Sequence, residues 1–104
     1  MKKDPEVALR VAQIFKLIRE ISPGKAVELR VPPYGAIQCS KGVVHRRGTP
    51  ANQVEMSADT LIQLATNSEA WSGLIGQGHI RSSGLASDLS MLFTQVSAKY
   101  QTGI

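Results

Sequence analysis

Cysteine is almost missing from this chain: Cys39 is the only one among 104 residues. An intramolecular disulfide is therefore impossible, and a thiolate-rich zinc site is excluded. Aromatic residues are also few, with one Trp, two Tyr and two Phe, so no row of rings is available for stacking unpaired bases. No apolar run approaches the ~18 residues that a bilayer-spanning helix requires. Lys2 and Lys3 would suit the start of a signal peptide, but Asp4, Glu6, Arg10 and Gln13 interrupt any apolar core behind them. A cytoplasmic location is expected from that interruption.

What is present is an ordinary globular composition, 42% apolar and 19% charged, which supports one packed core over residues 1–104 and argues against disorder. The formal charge of +4 favours acidic partners such as phospholipid headgroups or nucleic acid. The basic residues are scattered along the chain, however, and no aromatics interleave with them, so specific nucleic-acid binding is not expected.

Residues 4–21 read as a helix. Asp4 is its cap, Pro5 suits the first helical position, and Glu6 sits at the positive end of the dipole. Val7, Val11, Ile14, Phe15, Ile18 and Ile21 form one apolar stripe, with Leu9 off it, and Ser22-Pro23-Gly24 stops the helix. The period then changes to two. Val27, Leu29 and Val31 alternate with Glu28 and Arg30, which predicts a half-buried strand ended by Pro32-Pro33. Further short strands are predicted over 36–40, 43–46 and 53–56, as a meander. Helical period returns after Ser57 with Leu61, Ile62, Leu64 and Ala65, and again, capped by Ser68, with Trp71, Leu74 and Ile75. A last strand over 79–83 precedes a tail helix carrying Leu89, Leu92, Phe93, Val96 and Tyr100. The expected class is α+β: a short mixed or antiparallel sheet of about five strands with helices packed on one face. Strands so closely spaced leave no room for a doubly wound nucleotide fold.

The order of these marks resembles a known family. Residues 54–93, VEMSADTLIQLATNSEAWSGLIGQGHIRSSGLASDLSMLF, are similar to the end of sterol carrier protein domains. The shared marks are Leu61, Leu64 and Ala65, then Gly78-His79-Ile80 with Gly84, then Leu89 and Leu92. The segments VPPYGAIQC (31–39) and HRRGTPAN (45–52) resemble the small bacterial, actinobacterial-type branch of that family. The resemblance implies a mixed sheet covered by helices, with an apolar cleft between the layers that holds a lipid without chemistry. The chain is shorter than typical members, which implies a reduced cleft. An empty cavity costs about 24 cal/mol per Å³, so even 200 Å³ would cost roughly 5 kcal/mol, comparable to the low end of whole-domain stability. The expected site is therefore one that opens when the C-terminal helix moves, with Leu61, Leu64, Trp71, Leu74, Leu92 and Phe93 as its lining. The same residues also read as plain core.

Polar candidates are fewer. Arg46 and Arg47, beside Gly48-Thr49-Pro50, are the candidate headgroup contact, holding a phosphate or carboxylate bidentately. Alternatively they bridge to Glu28, Glu55 or Asp59. Arg81 with Ser82-Ser83 admits the same two readings, and Asn52 reads as a residue that satisfies loop backbone. Cys39 and His45 could face each other on a hairpin as nucleophile and base, but no orienting group or oxyanion donor accompanies them. His45 and His79 lack further ligands at metal spacing. The chain is therefore read as a nonenzymatic protein without cofactor or metal. Its expected partner is a lipid or hydrophobic small molecule, met with transient contact to a membrane surface. Relatives of this kind also suggest an accessory module beside thiol-dependent isomerase-like proteins, with an exposed apolar groove as the partner surface.

Overall fold

The computed structural model describes residues 3–42, 52–84 and 87–102. Helix α1 spans Pro5–Ile21 as the caps predict. The Asp4 carboxylate accepts from the backbone N–H groups of Glu6 and Val7, and Ser22 closes the far end through the Ile18 carbonyl. A cap of this type contributes about 1 kcal/mol. The apolar stripe is wider than expected, but through Leu17, which is buried, while Leu9 stays 61% exposed.

Strands β1 (Val27–Val31), β2 (Gly35–Cys39), β3 (Asn52–Met56) and β4 (Ile80–Ser83) form one sheet in the order β2-β1-β3-β4. The sheet thus has four strands among the described residues. The strand expected over 43–46 lies outside them. The meander is corrected as well: β3 pairs with β1 in parallel, Val27 beside Asn52 and Leu29 beside Val54, while β1–β2 and β3–β4 are antiparallel. The reason lies at one end of the sheet. Cys39 and Asn52 both flank Val27, so the chain leaving β2 has only two strand spacings, about 10 Å, to cross before β3 begins.

Alternation sorts the two faces. Val27, Leu29, Val31, Ile37, Cys39, Val54, Met56 and Ile80 are buried inward, and Glu28, Arg30, Gln38, Gln53 and Glu55 sit on the other side. The inward set joins residues of all four helices in one apolar cluster. Asn52 is buried too, and its amide donates to the Ala26 carbonyl at 3.0 Å, the backbone role expected of it.

Helix α2 (Ala58–Thr66) is capped by Ser57, whose hydroxyl accepts from the Thr60 N–H. The next helix divides into a 3-10 turn, Ser68–Ala70, and α3, Trp71–Gly76. Asn67, not Ser68, caps the turn, accepting from the Glu69 N–H at 3.2 Å. Within α3 Ile75 is exposed, so its inward side is Trp71 and Leu74 alone. Helix α4 (Ser90–Gln101) packs against α1, α2 and the 3-10 turn.

At the junction between α1 and the sheet the loop backbone comes close to that of Ser40. The Ser40 N–H donates to the Ser22 carbonyl and the Ser40 carbonyl accepts from Ala26, holding both ends of the loop 22–26. Gly24 there has φ +150°, and a Cβ on it would lie 2.0 Å from the Ser40 carbonyl oxygen. Only glycine fits.

Candidate functional site

The six apolar residues expected to line a ligand site come from three helices and meet in the interior. Leu61 and Leu64 share a face of α2, Trp71 and Leu74 share one of α3, and Leu92 and Phe93 point inward from α4. None is more than 8% exposed. Trp71 stacks on Phe93 with ring centroids 6.0 Å apart and an interplanar angle of 28°. An offset pair of this kind adds about 0.5–1.5 kcal/mol beyond area burial. At this seam between α2, α3 and α4 all six side chains are buried among the described residues.

Each end of α4 has one side-chain contact, local at its start and reaching across to α2 at its end. At its start, the Asp88 carboxylate accepts from the Ser90 N–H at 2.9 Å, and the backbone and side chain of Ser90 hold that carboxyl below its ordinary value. At its end, the Gln101 side-chain amide donates to the Thr66 carbonyl at the end of α2. Between them Val96 and Ser97 are buried, and Tyr100 packs half-buried against the core.

The polar candidates fare differently. Arg46 and Arg47 lie outside the described residues, as does His45. Two of the three carboxylates named as their alternative partners lie near another group: the Arg30 Nε is 3.9 Å from Glu28 and 4.0 Å from Glu55, while Asp59 is in neither pair. Cys39 is fully buried. Burial pushes its thiol up from the ordinary value, and the Ser40 hydroxyl, donating to Sγ at 3.8 Å, only partly opposes this. A thiol so placed is a weak nucleophile.

Two surface hollows involve none of the six apolar residues. One, of about 190 Å³, opens on the bare face of the sheet between Arg30, Gln53, Glu55, Arg81, Ser82 and Ser83. The other, of about 290 Å³, lies where β1 and β3 end, with Pro32, Met56, Ser57 and His79 on its wall. They share Glu55 and Arg81. The sequence had marked Arg81 with its serines; the role of Gln53 and Arg30 beside them follows only from strand register.

The family model described as "Bacterial SCP ortholog" matches residues 3–94. This chain belongs to the bacterial SCP ortholog family. The match runs from α1 into α4 and so takes in every strand and helix that forms the seam. Among solved structures, the fold is similar to that titled "UbiJ-SCP2 Ubiquinone synthesis protein", with a TM-score of 0.56 at 14% identity over 98% of this chain and 97% of that one. At that identity the likeness is one of fold: a mixed sheet with helices on one side, the sterol-carrier arrangement. A weaker similarity, TM-score 0.48 at 17% identity over 100% of this chain and 97% of the other, is to the sterol carrier protein domain 2 of Helicoverpa armigera. No curated protein matches the sequence.

Proposed function

We propose that this SCP ortholog binds a lipid or another hydrophobic molecule, without catalysing a reaction, in a cleft that forms between helices and sheet when α4 lifts from the seam. The observation that carries the reading is the composition of the seam. Six large apolar side chains from three separate helices meet there, on a fold of the sterol-carrier type. Parting them exposes a largely apolar surface, with the Trp71 indole N–H the only hydrogen-bond donor among the six side chains. The cost of opening is the apolar area uncovered, and a guest restores about 0.8 kcal/mol for each methylene it buries. A long acyl chain therefore offsets what α4 gives up, whereas an empty cleft would not persist.

The moving part in this reading is α4. Helix α4 is the last element described and packs on α1, α2 and the 3-10 turn, and its far end is joined to α2 through the Gln101 amide. Leu92 and Phe93 move with it. The buried, raised thiol of Cys39 supports a nonenzymatic role for the only cysteine. No helix among the described residues is long and apolar enough to cross a membrane, so a membrane contact would be made at a surface.

Native mass spectrometry of the protein purified from cells tests the proposal. The expected spectrum contains a species heavier than the chain by the mass of one lipid, which collisional heating removes. A spectrum of bare chain only, before and after incubation with long-chain fatty acid, would refute it.

A further inference from the structure

The face of the sheet turned away from the helices carries a second arrangement, unrelated to the seam. Register places Arg30, Glu55 and Arg81 side by side on β1, β3 and β4, with Gln53 opposite Ser83 in the parallel row. Arg30 lies within 4.0 Å of Glu55. Arg81, directly opposite Glu55 on the other side, makes no ion pair among the described residues. Among the described residues its guanidinium, with five donors, has no ion-pair acceptor.

The local shape of β4 adds to this. On a regular strand, successive side chains point to opposite faces. Ser83 thus shares the face of Arg81 and lines the hollow of about 190 Å³ with it, whereas Ser82, opposite the inward Val54, turns its side chain to the other face. One hydroxyl, from Ser83, one carboxamide and two guanidiniums therefore surround that hollow, against one carboxylate that lies within 4.0 Å of Arg30. Glu55 is the only acceptor on its wall that bears a charge.

We propose that this hollow is a binding site for a small oxyanion, a phosphate or carboxylate, carried by a molecule with a hydrogen-bond donor beside it. Arg81 takes the oxyanion through its paired N–H groups, Ser83 and Gln53 supply neutral donors, and Glu55 accepts from the adjoining ammonium or hydroxyl. Arg30 keeps Glu55 from repelling the anion. The site stands apart from the seam and does not depend on it. The phosphate could belong to a free small molecule or to a lipid headgroup at a membrane surface.

Backbone amide NMR of the whole chain decides this, titrated separately with inorganic phosphate, O-phosphoethanolamine and sodium chloride at matched ionic strength. Flotation with vesicles containing phosphatidic acid supplies the headgroup arm. The expected result is saturable shifts at residues 30, 53 and 81–83 with both phosphates, tighter for O-phosphoethanolamine, and none with chloride. Arg81→Gln should weaken binding about tenfold, while Arg10→Gln on α1 leaves it unchanged. Flotation lost in Arg81→Gln would assign the headgroup as the source; shifts without flotation would assign a free molecule. Shifts that chloride reproduces, or that survive Arg81→Gln undiminished without Arg81-dependent flotation, would overturn the site, as would neither phosphate nor vesicles binding. Bound lipid in the mass spectrum bears on the seam alone, so the two readings fail independently.

Discussion

Trp71 and Phe93 stack across the boundary between α3 and α4, 6.0 Å apart, and both are buried. One ring belongs to the element that would move and the other to a wall that would stay. Phe93 is fully enclosed, so Phe93→Ala should destabilise the domain by about 3–5 kcal/mol. Urea unfolding measures the loss. If the vacated volume lies in the seam, a long-chain fatty acid should restore part of that stability, because a ligand bound to the folded state adds to it by mass action.

The hydrogen bond from Gln101 to the Thr66 carbonyl joins exposed residues, so its contribution to stability is small. Gln101→Ala should cost no more than about 1 kcal/mol. Its effect on access should be larger in proportion. Stopped-flow mixing with a fatty acid is expected to show faster uptake in the variant than in the parent chain, with the folded fraction unchanged.

Cys39 gives a pH dependence of definite sign. Its thiol is raised in the folded state from the ordinary value of 9.0, so the unfolded chain loses that proton first as pH rises. Stability contributed by the neutral, buried thiol is fully present below pH 9.0 and declines above it. Denaturant midpoints should therefore fall more steeply between neutral and strongly alkaline pH for the parent than for Cys39→Ala. Equal slopes in the two proteins would contradict the assignment. The native thiol should also react slowly with a disulfide reagent until urea opens the fold.

Gly24→Ala should be far more damaging than an exposed loop position suggests. The new methyl group would meet the Ser40 carbonyl at 2.0 Å, a backbone atom that cannot step aside without breaking its bond to Ala26. Thermal unfolding should show a loss of more than about 1 kcal/mol. Gly73→Ala, where a Cβ has nothing within 4 Å, is the matched control and should leave stability unchanged or raised.

Helices and their caps were legible because the signals are local. Asp4-Pro5-Glu6 and Ser57 act within one turn, and the apolar stripe of α1 needs only its own spacing. Sheet order was not legible. The alternation of Val27, Leu29 and Val31 states which face is inward but not which strand lies beside it, and a hairpin and a skipped neighbour leave the same pattern. The serines of β4 could not be placed for a related reason: period two assigns Ser82 and Ser83 to opposite faces, and both are exposed. That Leu61, Leu64, Trp71, Leu74, Leu92 and Phe93 are buried was legible from apolar spacing, but spacing does not separate a parting surface from ordinary core. Leu17 and Ile75 exchanged roles, one buried and one exposed, because a stripe's width depends on what packs against it.

Trp71 is the only tryptophan in the chain, and it lies in the seam itself, so its emission reports on the central claim without a label. Titration with a long saturated fatty acid at concentrations up to tens of micromolar (~10–50 µM, where a −6 to −7 kcal/mol complex forms) should give a saturable change that fits one site. Emission that stays constant through that range, while the protein remains folded, would contradict the opening of the seam to an apolar guest.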